Sequence, residues 1–301
     1  MKAIIFENHG GPDVLRLTGT DTPEPAEGQV RIRVRAAGVN AIDWKIRSGA
    51  AREIFPVTFP ATPGWEAAGV VDAIGPGVTG LRVGDEVLGF TDTGAYAEYA
   101  LATIVAAKPA GLGWAEAAAL PVAGETAERV LRLLELKDGE TLLVHGAAGA
   151  VGGLAVQLAA GRGATVIGTA SPANHDYLRS LGVVPVSYGP GLVDRVRAIA
   201  PNGVDAVFDA AGQGVLPESI ELRGGAKDRI VTIADPSAWD LGLTFSNGDE
   251  KSAATLAEHA RRAVEGTLRV TVAETFPLAE AAAAQERSAT GHVRGKLIVL
   301  P

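Results

Sequence analysis

The 301-residue sequence contains no cysteine. This removes disulfides, thiolate zinc sites, iron–sulfur clusters and a cysteine nucleophile together. It also lacks a basic excess: 27 Lys and Arg stand against 35 Asp and Glu, a formal net charge of −8, so its field does not attract phosphate backbones and no nucleic-acid partner is expected. The opening MKAIIFENHG has one lysine and a short apolar run, too little for a secretory segment, and a cytoplasmic location is expected. No linker, low-complexity tract or internal repeat interrupts the chain. One uncharged run, Thr141 to Gly161, approaches the roughly 20 residues a membrane helix needs. However, Gly146, Gly149, Gly152 and Gly153 divide it into an apolar strand, a turn and a helix, so no membrane partner is expected.

What is present is an ordinary globular composition, 47% hydrophobic and 21% charged, with 38 glycines. The glycine share exceeds the usual share of roughly 7%. Short strands separated by turns fill the first hundred residues. In the clearest, Gln29 to Val39, Val30, Ile32, Val34 and Ala36 alternate with Arg31, Arg33 and Arg35, predicting one buried and one solvated face. From Trp114 the texture changes to alternating helix and strand. Apolar runs at Thr141–His145, Thr165–Gly168, Pro185–Tyr188, Ala206–Phe208 and Arg229–Ile233 alternate with helical patterns, which predicts βαβ units and a parallel, doubly wound sheet.

The segment His145 to Gly153, HGAAGAVGG, ends a buried strand in glycines and leads into a helix. Glycines allow a tight turn and close approach of a pyrophosphate, and the helix N-terminus supplies free N–H groups and partial positive charge. Gly146, Ala147, Gly149, Ala150, Val151 and Gly152 are therefore candidate cofactor contacts. An acidic residue about 20 positions on would take a ribose 2′-hydroxyl and repel a 2′-phosphate. The second strand instead runs into Gly168-Thr169-Ala170-Ser171, and the nearest acid, Asp176, lies in the next helical pattern. Ser171, Asn174 and Tyr188 can donate to a phosphate, which favours NADPH; Ser171 and Asn174 can alternatively cap a helix.

The chain resembles the zinc-free quinone oxidoreductase (ζ-crystallin-like) branch of the medium-chain dehydrogenase/reductases. The residues that carry the resemblance are Gly38 to Lys45 (GVNAIDWK), Pro63-Gly64-Trp65-Glu66, Gly84 to Val87, Gly94 to Tyr99 (GAYAEY), Leu120 to Ala127 (LPVAGETA), the glycine turn and Gly291 to Leu300 (GHVRGKLIVL). It implies an α/β protein: a GroES-like β-barrel catalytic domain, discontinuous over 1–116 and 268–301, with a Rossmann NADP(H)-binding domain over 117–267 and a cofactor cleft between them. Zinc-dependent relatives place a Cys within the stretch matching Asn40-Ala41-Ile42-Asp43 and a His at Trp65, so no metal is expected.

The expected chemistry is hydride transfer from NADPH to a quinone or related conjugated carbonyl, whose anionic product is stabilised by delocalisation. The alternatives are an enoyl-thioester or 2-alkenal reductase, and an NADPH-binding sensor or structural protein without turnover. The resemblance places Asn40 and Thr126 near the nicotinamide ribose and diphosphate, brings Arg294 and Lys296 toward the cofactor, and implies a homodimer. Arg294 and Lys296 can also be read as a solvated hairpin. Asn40 and Lys45 are the candidate catalytic residues; Lys45 stands where many relatives have a tyrosine, and can donate to an oxyanion or simply be exposed. Glu125 replaces a commonly apolar residue and, if buried, needs a partner. Trp44, Phe55, Phe59 and Trp65 fit either a flat acceptor pocket or core packing.

Overall fold

The computed structural model describes residues 1–248 and 250–301. In chain order it contains β1 (Lys2–Ile5), β2 (Arg16–Gly19), β3 (Val30–Val39), α1 (Ala41–Ser48), β4 (Glu66–Ile74), β5 (Glu86–Phe90), β6 (Tyr99–Ala102), β7 (Ile104–Ala107), α2 (Trp114–Ala118) and α3 (Pro121–Leu133). There follow β8 (Thr141–His145), α4 (Ala150–Ala160), β9 (Thr165–Ala170), α5 (His175–Ser180), β10 (Val184–Ser187), α6 (Leu192–Ile199), β11 (Ala206–Asp209), α7 (Leu216–Leu222), β12 (Ile230–Thr232), α8 (Ala238–Leu241) and β13 (Thr244–Phe245). The chain closes with α9 (Ala253–Val264), β14 (Val272–Pro277), α10 (Ala281–Ala289) and β15 (Lys296–Leu300). Contacts group these into two units, Met1–Val122 with Lys251–Pro301, and Ala123–Glu250.

The first unit is built around a seven-stranded sheet in the order β14-β15-β3-β4-β5-β7, with β6 also on β3. Strand β3 organises it. One edge pairs with β4 along nearly its whole length, while the other is shared: β6 takes Val30 to Arg33 and β15 takes Ala37 to Val39. Two register shifts in the β3–β4 ladder bend the strand. The alternation seen in the sequence is realised, with Val30, Ile32, Val34 and Ala36 buried and Arg33 and Arg35 exposed. Helix α10 packs on β15 and α1, and α9 packs on β7. The core cluster of Val34, Ala37, Val39, Ala67, Tyr96, Leu297 and Val299 therefore draws on both ends of the chain.

The second unit is a six-stranded parallel sheet in the order β10-β9-β8-β11-β12-β13. Helices on both faces bury β8 almost throughout, which is why TLLVH is a continuous apolar run rather than an alternating one. The charge-free α4 lies on β8 and β9 with Gly152, Gly153, Leu154, Ala155 and Val156 all buried. Among the described residues no helix is long and apolar enough to cross a membrane.

Candidate functional site

In the second unit the chain order reverses between β8 and β11, the point in such sheets where ligands meet the C-terminal strand ends. The glycine turn leaves β8 there. Gly146 has φ +72°, a left-handed conformation that favours glycine. Gly152, in the first turn of α4, lies so close beneath it that a Cβ would stand 2.2 Å from the Gly146 carbonyl oxygen and 2.9 Å from the Ala147 Cα. Both obstacles are backbone, so the turn and helix interlock only without side chains at these points. Gly149 caps α4 with no side-chain acceptor. The N–H groups of Ala150, Val151 and Gly152 therefore begin the helix without intrahelical acceptors, together with its partial positive charge. This cradle suits a pyrophosphate.

Beyond β9, Ser171 and Asn174 are partly exposed, and neither side chain caps the helical turn it precedes. The capping alternative is thus set aside; instead Asn174 Nδ2 donates to Ser171 Oγ at 3.2 Å. Tyr188 follows β10 with its ring exposed. Asp176 points away into solvent, its side chain 98% exposed and paired with Arg179 at 2.6 Å. No carboxylate takes the place of the ribose ligand at the end of β9 among the described residues.

On α3, Glu125 is largely enclosed, its side chain 9% exposed, and does have partners: Arg129 Nε donates to it at 2.6 Å and the Glu250 N–H at 3.0 Å. The adjoining Thr126 hydroxyl, itself buried, donates to the same carboxylate at 3.2 Å.

The first unit holds a buried polar network that the sequence reading found only in part. Lys296 is 2% exposed, which removes the solvated-hairpin alternative for it. Its ammonium lies 2.5 Å from Glu66 Oε1 and donates to Asn40 Oδ1 at 2.6 Å. Asn40 Nδ2 donates to the same Glu66 oxygen at 2.8 Å, so cation and anion together fix the amide's orientation. Glu66 Oε2 accepts the Val122 N–H at 2.7 Å, near the N-terminus of α3. Gly38 makes this possible, because a Cβ there would stand 2.3 Å from Glu66 Oε1. The structure thus joins Asn40 and Lys296, 256 positions apart, through a glutamate that only position in the fold could reveal.

Asn40 also starts α1, its N–H donating to Asp43 Oδ2 at 2.9 Å, and the Tyr96 hydroxyl donates to the same oxygen at 2.9 Å. Asp43 Oδ1 is buried without a protein partner. Burial raises the Asp43 pKa to about 7, outweighing the opposing effects of these hydrogen bonds and the Lys296 charge. Burial likewise raises the Tyr96 phenol well above its ordinary range, with the Asp43 charge adding to the effect. Lys45 lies in α1, half-buried, with its ammonium 5.9 Å from the Trp44 ring centroid. Arg294 is exposed, just ahead of β15. Phe55 and Trp65 meet edge to face at 6.0 Å within one apolar cluster, and Phe59 packs on Phe6 and His9.

This donor set does not fit a metal. Three of the four carboxylate oxygens of Asp43 and Glu66 are engaged, and the Lys296 ammonium beside Glu66 would repel a dication. Among the described residues no group of three or more His, Cys, Asp or Glu is arranged to hold one.

Two family models match the chain: the alcohol dehydrogenase GroES-like domain over residues 26–124 and the zinc-binding dehydrogenase domain over 184–299. The chain is 34% identical to the NADPH-dependent alkenal/one oxidoreductase, chloroplastic, of Arabidopsis thaliana, over 100% of this chain and 80% of that protein. Among solved structures, the quinone oxidoreductase of Coxiella burnetii superposes with TM-score 0.88 at 34% identity, covering 100% of this chain and 99% of the other. The Escherichia coli quinone oxidoreductase complexed with NADPH superposes with TM-score 0.89 at 28% identity, covering both chains in full. The chain spans about half the length of the first curated relatives it matches.

Proposed function

Because the chain belongs to the zinc-free quinone oxidoreductase branch of the medium-chain dehydrogenase/reductase superfamily, we propose that it is an NADPH-dependent reductase of quinones or related conjugated carbonyls. The observation that carries this reading is the pairing of an interlocked glycine turn with a β9 terminus that bears no carboxylate. NADPH, when bound, would supply a hydride, which carries both electrons of the reduction. The residues of this chain hold and orient it. The N–H groups of Ala150, Val151 and Gly152 receive the pyrophosphate, whereas those of Ala147 and Gly149 already donate to the Thr169 and Gly146 carbonyls at 3.1 and 3.0 Å and shape the turn instead. Ser171, Asn174 and Tyr188 donate to the 2′-phosphate, which they can do because neither Ser171 nor Asn174 is spent on a cap.

On the family resemblance we assign Asn40, its amide fixed by Glu66 and Lys296, to the nicotinamide ribose and Thr126 to the diphosphate. Lys296 acts on the cofactor through Asn40, because its ammonium is already taken up by that amide and by Glu66. Arg294 contributes a solvated positive charge to the cofactor. Lys45 is the donor we assign to the oxyanion that hydride transfer creates. That oxyanion is delocalised over a conjugated carbonyl, so hydrogen bonds suffice and no Lewis acid is called for.

Stopped-flow oxidation of NADPH with a panel of quinones, 2-alkenals and enones tests the proposal. Turnover with at least one conjugated acceptor, and a lower KM for NADPH than for NADH, is expected; none with any acceptor would sink it. The identity to an alkenal/one oxidoreductase over the whole chain favours 2-alkenals and enones as the second acceptor class. Replacing Ser171 by Asp should reverse the preference toward NADH, by placing the missing carboxylate beside the ribose. We also propose a cytoplasmic homodimer. Edge strand β13, with Phe245 packed at 4.9 Å and a 47° tilt against a 54% exposed Trp239, offers an apolar sheet edge to a second copy, and sedimentation velocity reads the result.

A further inference from the structure

One rung of the parallel sheet carries four polar residues at the C-terminal strand ends. In the ladders His145 is opposite Asp209, Asp209 is opposite Thr232, and the β8–β9 register, continued by one residue, sets His145 beside Thr169. Residues on one rung share a face. All four are at most 2% exposed, at the ends of strands whose other buried residues are mostly apolar. Each oxygen-bearing member holds the loop that leaves the sheet. Thr169 Oγ1 accepts the Gly146 N–H at 3.3 Å, Asp209 Oδ1 accepts those of Ala211 and Gly212 at 2.9 and 3.0 Å, and Thr232 Oγ1 accepts those of Ala234 and Asp235 at 3.1 Å each.

Proton counting then places a hydrogen on one nitrogen of the histidine. The Ser219 hydroxyl donates to the Val215 carbonyl at 2.7 Å, so it accepts from His145 Nε2, 3.1 Å away. Nε2 therefore bears a hydrogen, and in the neutral ring Nδ1 keeps the lone pair. Thr169 Oγ1, 3.5 Å from Nδ1, turns its hydrogen toward that lone pair and its own lone pair toward the Gly146 N–H. Burial agrees, lowering the His145 pKa to about 4 against the opposing charge of Asp209.

We propose that His145 and Thr169 are positioning residues for the nucleotide: neutral His145 orients the Thr169 hydroxyl, which holds the Gly146 N–H and so keeps the glycine turn open to a pyrophosphate. The inference rests on the nucleotide-binding reading above and adds two residues to it that touch no ligand themselves. Thr169→Val removes the acceptor for the Gly146 N–H while keeping the volume, and Thr169→Ser restores it.

The test is titration of NADPH by fluorescence into wild type, T169V and T169S, with melting temperatures and steady-state kinetics on the same samples. Absence of NADPH binding by wild type overturns the nucleotide reading itself. With wild type binding, the expected result is a three- to tenfold weaker Kd and higher KM for NADPH in T169V, the span of one hydrogen bond. At saturating NADPH, kcat stays within twofold, and T169S binds within twofold of wild type. Wild-type affinity in T169V, or T169S as weak as T169V, overturns the proposal. If T169V does not fold, the imidazole nitrogen–proton correlations of wild-type His145 at pH 7 decide: the Nε2–H tautomer supports the proposal, and the Nδ1–H tautomer or imidazolium overturns it.

Discussion

Replacing Asp43 by Asn should change the pH dependence of stability in a way that follows from burial alone. The wild-type carboxyl titrates at about 7 in the fold against 3.8 when exposed, because it is fully enclosed and one oxygen has no partner. Between those values the native state keeps a proton that the unfolded chain has lost, so stability falls as pH rises through the window. At 1.36 kcal/mol per unit the loss sums to about 4 kcal/mol between pH 4 and 8, most of it below pH 7. An asparagine keeps an oxygen for the Asn40 N–H and the Tyr96 hydroxyl and does not titrate.

The difference in unfolding free energy between Asp43→Asn and wild type should therefore move in favour of the variant by about 4 kcal/mol from pH 4 to 8. Taking the difference cancels the other titrating groups. Urea unfolding at half-unit pH steps measures it, and the carboxyl carbon shift of Asp43 gives the pKa directly. A variant curve parallel to wild type, or a carboxyl that titrates below pH 5, would refute the reasoning.

Three further outcomes follow from the same geometry. Glu140→Gln should cost about 2 kcal/mol at pH 7, because the bidentate Arg229 contact, at 2.8 and 2.5 Å, holds the carboxyl at about 2; the difference should vanish as pH falls from about 4.5 toward 2, read by urea unfolding across that range. Gly152→Ala should cost about 1–3 kcal/mol and weaken NADPH more than tenfold, since its Cβ meets backbone at 2.2 Å; unchanged affinity on titration would count against the interlocked cradle. Lys296→Met should cost about 3–5 kcal/mol by stranding Glu66 in the interior, with much of it recovered in the double variant with Glu66→Gln, as chemical unfolding of both would show.

Much of the fold was legible because its signals are local. Strand β8 begins and ends where the apolar run Thr141–His145 does, and the alternation of buried apolar residues with arginines in β3 is kept. Other elements left no such trace. Strand β13 is two residues long, β2 is largely exposed, and β6 is four residues long, starting at Tyr99. Helix α1, eight residues long, carries Lys45 and follows β3 with only Asn40 between them.

By itself the sequence determined which residue types are there to act: a missing cysteine and a missing acid after β9 are statements about residue types, and glycine spacing encodes a backbone shape over a few neighbours. Only the tertiary structure decided what the charged side chains do. Lys296 is buried against Glu66 and Asn40, Glu125 is neutralised by Arg129, and His145 joins Thr169 across a sheet ladder. Each of these assignments depends on desolvation and on partners brought together by strand pairing or helix packing. Those forces act across space rather than along the chain, so no window of sequence contains them.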